Sequence, residues 1–179
     1  MLGRKQLLGI LAATGILFLW GMAMHVGLHG ALDAIPVLKT AQEERVIAAV
    51  QKPDVALADG IYMGSRGIFL VVSTLADGTD VFSGLSFPQV LIVQLFICGM
   101  VALLLSLIVG QLSGKSVRQR AALLGLMGLA AGICVCVPQW TFYGFGLKLT
   151  FVNVVDIAGG WFLSGLVLAR LAQSDSTAV

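Results

Sequence analysis

The sequence predicts a mainly α fold: a four-transmembrane-helix bundle with a small extracytoplasmic α+β cap (a short helix plus a β-hairpin) between helices 1 and 2. Three observations predict it. The 179 residues are 58% hydrophobic and only 11% charged, whereas a soluble domain is about half apolar and about a quarter charged. Four apolar stretches are each long enough to cross about 30 Å of hydrocarbon, which takes roughly 20 helical residues. One polar, patterned segment separates the first stretch from the second. A mean hydropathy of +0.98 excludes a soluble globular enzyme, a disordered chain and a disulfide-stapled secreted domain.

The spans are placed at Gln6–Leu28, Pro88–Leu112, Gln119–Val137 and Leu149–Leu171. Each is free of Lys and Glu, and Asp156 is the only acid in any of them. They must be helical, because lipid offers no partner to an open backbone N–H or C=O. Arg4-Lys5 followed by an apolar run evokes a signal peptide, but a cleavable h-region covers about 7–15 residues. The run here is longer and reads as a span. Ser86-Phe87-Pro88 suits the start of the second span, with Ser as cap and Pro in the first turn. Pro138 is expected to close the third.

Residues 30–87 form the insert. Thr40-Ala41-Gln42-Glu43 reads as a capping box, opening a helix over Ala41–Gln51 that Pro53 ends. Gly60–Met63 and Ile68–Leu75, then Asp77-Gly78 and Val81-Phe82, carry the β-branched, aromatic and turn residues of a hairpin. A two-stranded hairpin is marginal alone. The insert is therefore read as a cap on one membrane domain covering 1–179, not as a second domain.

Positive charge on short loops sets orientation. Arg4 and Lys5, then Lys115, Arg118 and Arg120 in the second loop, then Arg170, mark one side. The first loop mixes four cations with seven acids. Both termini are placed in the cytoplasm, and the first and third loops outside, in a bacterial inner membrane.

Gly125, Gly128 and Gly132 in the third span, and Gly159, Gly160 and Gly165 in the fourth, read as small-residue packing seams. Trp140, Phe142, Tyr143 and Phe145, between the third and fourth spans, read as an aromatic belt at headgroup depth. Cys134 and Cys136, two apart on a helix, fall on opposite faces and read with Cys98 as small hydrophobes.

A few groups are costly where they stand. A carboxylate at mid-membrane costs about 2.5–3.5 kcal/mol on insertion scales. Asp156 is expected to face the bundle interior. Asn153 and Thr150, one and two turns nearer the outer end, complete a polar stripe. That stripe serves either as an interhelical clasp or as part of an ion, proton or polar-ligand site. His25 and His29, four apart, share one helical face and suit a metal or haem. The chain has only two His, so pairing of His25 with Asp156 or a loop acid is the preferred expectation. No cofactor is expected, with haem or metal on His25 and His29 as the weaker alternative.

No nucleophile elbow, Walker loop, zincin motif or dinucleotide fingerprint is present. A net charge of +2 offers nothing to nucleic acid. Trp20-Gly21 ahead of His25, Gly60-Ile61-Tyr62, Trp140 with Tyr143-Gly144-Phe145, and Asp156 with Gly160-Trp161 and Gly165 together resemble a group of uncharacterised small bacterial inner-membrane proteins with four predicted spans. Met63-Gly64 departs from that pattern, in which a proline soon follows the tyrosine. The resemblance implies the topology and no known activity. The expected role is a non-enzymatic accessory, structural, small-molecule-binding or lipid-binding membrane module. The alternatives are an oligomeric transporter or ion-conducting protein using Asp156, and a haem or metal protein using His25 and His29. The expected partner is the lipid bilayer, with a larger membrane complex or self-association as further candidates.

Overall fold

The computed structural model describes residues 4–28, 41, 45, 48, 49, 60–63, 69–72 and 86–173. Its long elements are α1 (Arg4–Ala23), continued by a π-helical turn (Met24–Leu28), α2 (Phe87–Gln111), α3 (Val117–Tyr143) and α4 (Leu147–Gln173). Among the described residues, four helices are long and apolar enough to cross a membrane. Much of their apolar surface points away from the protein: Leu19 is 69%, Phe96 68% and Phe142 75% exposed. That is the distribution expected where lipid, not water, covers the outer face.

The helix ends follow local chemistry. Ser86 stands just before α2; its carbonyl takes the first helical bond, from the Val90 N–H at 3.1 Å. Gln89 Oε1 reaches back to the Ser86 N–H at 2.8 Å, one arm of the reciprocal cap. Pro88 sits in the first turn, where its missing N–H costs nothing. Ser116 makes the full box on α3: its Oγ accepts from the Gln119 N–H at 3.3 Å, and Gln119 Oε1 accepts from the Ser116 N–H at 3.0 Å.

Pro138 does not close the third span. It lies inside α3, which runs on to Tyr143. Stopping at residue 137 would strand the last turn's carbonyls at membrane depth, whereas continuing through Pro loses one bond. Thr141 Oγ1 also donates to the Val137 carbonyl at 3.1 Å, within the same turn. The helix ends at Gly144, whose φ of 70° is left-handed and suits glycine. The N–H groups of Gly144 and Phe145 both close on the Gln139 carbonyl.

Two compact units divide these elements. One holds α1 with its π turn, α2 from Val93, α3 and α4. Its core joins Ile10 and Ala13 of α1, Ala102, Leu105 and Val109 of α2, Leu124 of α3, and Leu168 and Ala169 of α4. A smaller cluster joins Met24 to Val152, with Trp20, Leu149 and Val155 against it. The other unit holds β1 (Gly60–Met63) and β2 (Phe69–Val72), which pair antiparallel with Gly60 opposite Val72 and Met63 opposite Phe69. That pairing connects through residues 64–68 and not through Asp77-Gly78, which lies outside the described residues. Ala41, Arg45, Ala48 and Ala49 are helical; the rest of the Ala41–Gln51 expectation lies outside the described residues.

α3 and α4 approach closest. A Cβ added at Gly128 would stand 3.0 Å from the Ile157 carbonyl oxygen and 3.1 Å from Ala158 Cα. At Gly132 it would meet Val154 Cα at 3.1 Å, and at Gly165 it would meet Ala121 Cα at 3.0 Å. Partners fall on α4 as positions climb on α3, so the pair is antiparallel. The three-residue connection Gly144–Gly146 imposes that pairing.

Candidate functional site

α4 positions the polar groups because both α1 and α3 pack against it. Asp156 lies nine residues past Leu147, about 14 Å along the axis at 1.5 Å per residue. It is half-buried. The Trp20 indole of α1 lies across this stretch. Its Nε1–H donates to the Asp156 backbone carbonyl at 2.9 Å. The ring rests on Gly159 and Gly160, where an added Cβ would stand 2.7 Å from Cζ2 and 3.1 Å from Cδ1. Two adjacent glycines give the flat surface that an indole needs. Two residues before Asp156, Val154 packs against Gly132 of α3, where an added Cβ would stand 3.1 Å from Val154 Cα, so α1 and α3 both approach this stretch of α4.

The other expected site residues are distributed along one end of the bundle. Asn153 is half-buried. Thr150 is 6% exposed and turns inward to its own backbone, donating to the Gly146 carbonyl at 3.2 Å. His25 sits exposed on the π turn, and its Nδ1–H donates to the Gly21 carbonyl at 3.0 Å. Met24 beside it is buried, as a neighbour pointing round the helix should be. His29 lies outside the described residues. Among the described residues no group of three His, Cys, Asp or Glu is placed to hold a metal. Trp140, Phe142 and Tyr143 are exposed, and Phe145 is half-buried. The first three stand on the last turns of α3 rather than in the connection, because α3 continues past Pro138. Cys134 is exposed and Cys136 buried, on opposite faces as their spacing requires.

Sequence reasoning passed over three polar features. Gln6 Nε2 of α1 donates to Ser106 Oγ of α2 at 3.3 Å. Ser164, fully buried on α4, donates to the Ala13 carbonyl of α1 at 3.5 Å. Arg120, grouped by the sequence with the loop cations, is 8% exposed inside α3, where its Nε–H donates to the Lys115 carbonyl at 2.9 Å. The available signal was their type: isolated amide, hydroxyl or guanidinium groups in or bordering apolar runs. Around the Gln6–Ser106 pair a cleft of about 170 Å³ opens among Lys5, Gln6, Ser106, Gly110, Leu168 and Leu171.

The arrangement holds helices at fixed register through polar contacts, and it presents one carboxylate among three helices and one cleft at the Lys5 end. Comparison with protein-family models, curated proteins and solved structures found no match to this chain.

Proposed function

We propose that the chain is a multi-pass protein of a bacterial inner membrane that acts without chemistry of its own, as an accessory or small-molecule- or lipid-binding module. Both termini lie in the cytoplasm, and the insert, folded as a helix-and-hairpin cap, lies outside. The observation that carries the reading is the setting of Asp156. Its helix is held on one side by the Trp20 indole at 2.9 Å and on the other by glycine-mediated contact with α3. An acid on the stretch of α4 that both α1 and α3 grip is suited to a clasp between helices.

A second reading makes the chain an oligomeric transporter or ion-conducting protein with Asp156 on the path. The place of an acid midway along a helix packed against both α1 and α3 favours it. Asp156→Asn separates the two. The clasp reading expects a loss of about 1–3 kcal/mol, the range for a buried polar group deprived of its partner, read as a lower melting temperature in detergent. It expects no change in proteoliposome ion flux. Flux that is present in the wild-type chain and abolished by Asp156→Asn, at unchanged melting temperature, would replace it with the transport reading.

A further inference from the structure

The first half of α2 stands apart from its own bundle. Residues 93–97 are all exposed, and consecutive positions of that number go more than once round a helix of 3.6 residues per turn. Farther along, Cys98, Ala102, Leu105 and Val109 are buried, the last three in the core shared with α1, α3 and α4. Most of the bare stretch is apolar and suits lipid, but Gln94 does not. It stands five residues from Gly99, the midpoint of α2, which is about 8 Å along the axis and well inside a hydrocarbon half-thickness of about 15 Å. Its Nε2–H donates to Cys98 Sγ, a weak acceptor, at 3.9 Å, and among the described residues nothing donates to its Oε1. A carbonyl oxygen left bare at that depth is costly.

Gln94 also begins a seven-residue repeat. Val101 and Ile108 follow it at intervals of seven, and Ile97 and Leu104 stand three after Gln94 and Val101. These are the a and d positions of a coiled-coil seam. Gln94, Ile97 and Leu104 are exposed, and Val101 and Ile108 half-buried, so the seam is a different face from the buried one. β-Branched residues at a with Leu at d favour a parallel pair of helices, and one polar a residue fixes its register. Two copies of the chain with the same topology in one membrane bring their α2 helices together parallel. A carboxamide both donates and accepts, so across a two-fold axis each Gln94 can donate to the other's Oε1. Lipid offers that oxygen no donor, and an unrelated helix would need an amide or hydroxyl at the same depth. A second copy supplies it by symmetry.

We propose that the chain forms a parallel two-fold dimer through α2, with the Gln94 amides bonded to each other and Ile97, Val101, Leu104 and Ile108 packed along the seam. The interface is separate from Asp156. It goes beyond the module reading by naming the partner, and it rests on the chain being membrane-spanning.

The test uses the full chain, labelled with donor or acceptor dye at its N-terminus and mixed in phosphatidylethanolamine–phosphatidylglycerol liposomes over a range of protein-to-lipid ratios. Energy transfer above the level of random proximity is expected, linear in acceptor fraction as a pair requires. Gln94→Leu should weaken association about tenfold, through the loss of two interhelical amide bonds, with the helix content unchanged by circular dichroism. Gln94→Asn keeps a self-complementary amide and should recover most of the loss. Leu104→Ala and Leu95→Ala are a matched pair: both residues are exposed, but nine positions are two and a half turns, which puts them on opposite faces. Leu104→Ala should weaken the dimer, and Leu95→Ala should leave it unchanged. Transfer no greater than random, a curved dependence on acceptor fraction, wild-type association in Gln94→Leu, or equal losses in the two leucine variants would overturn the proposal. Alkaline carbonate washing distinguishes the failures. A chain that stays in the washed membranes yet does not pair refutes only the dimer, and a chain released to the supernatant refutes the membrane reading itself.

Discussion

Trp20 connects two parts of the chain that are 136 residues apart, donating to the Asp156 carbonyl at 2.9 Å while its ring lies on Gly159 and Gly160. Hydrogen bonds between helices in membranes average about 0.6 kcal/mol and reach about 1.7, so the bond itself is the smaller part. The ring contact is the larger one, because a Cβ at Gly159 would come within 2.7 Å of it. Gly159→Ala is therefore expected to cost about 1–3 kcal/mol by overpacking, and Trp20→Phe about 1 kcal/mol through the lost donor and reduced contact. Thermal unfolding in detergent measures both. The double variant should lose less than the sum, since the smaller ring frees the space that alanine fills. Strict additivity would show that the indole and the glycines do not act as a unit.

Between elements, glycine determines how close the backbones come. Gly125, Gly128 and Gly132 of α3 and Gly165 of α4 line the seam, and at Gly128, Gly132 and Gly165 the nearest neighbours include backbone atoms at 3.0–3.1 Å. Backbone cannot move aside as a side chain can. Gly128→Ala is expected to destabilise by about 1–3 kcal/mol. Gly15→Ala, where an added Cβ meets nothing within 4 Å, should be neutral or stabilising by up to about 1 kcal/mol through helix propensity. Melting temperatures in one detergent give the comparison, and equal effects would mean that the seam is not close-packed. α2 is joined differently, by larger side chains such as Leu105 and Val109 and by the Gln6–Ser106 bond.

At the scale of the molecule, an even number of spans returns the chain to the side from which it started. Arg4, Lys5, Lys115, Arg118, Arg120 and Arg170 lie at one end, and by the positive-inside rule the proposed topology puts that side in the cytoplasm. Alkaline phosphatase fused after residue 173 should be inactive in a bacterial host, and fused within residues 73–85 it should be active. The reverse pattern would invert the proposed topology.

The amino-acid order alone determined four helices long and apolar enough to cross a membrane, most of their approximate ends and the small-residue seams, because length, apolarity and glycine spacing are local properties. Ser86 and Pro88 announced the start of α2 for the same reason. Pro138 misled because a local rule about proline breaks was outweighed by the cost of bare carbonyls in a membrane, which keeps α3 helical to Tyr143. Asp156 was legible as an unusual charge, but Trp20 across its carbonyl was not, since nothing in either neighbourhood names the other. Tertiary structure alone decided that α4 packs against both α1 and α3, that Arg120 is buried, and that Lys5, Gln6 and Ser106 share a cleft. Those facts depend on which distant residues meet, Ala121 with Gly165 or Gln6 with Ser106, and such meetings are set by the close approach of whole helices, not by the sequence around any one of them.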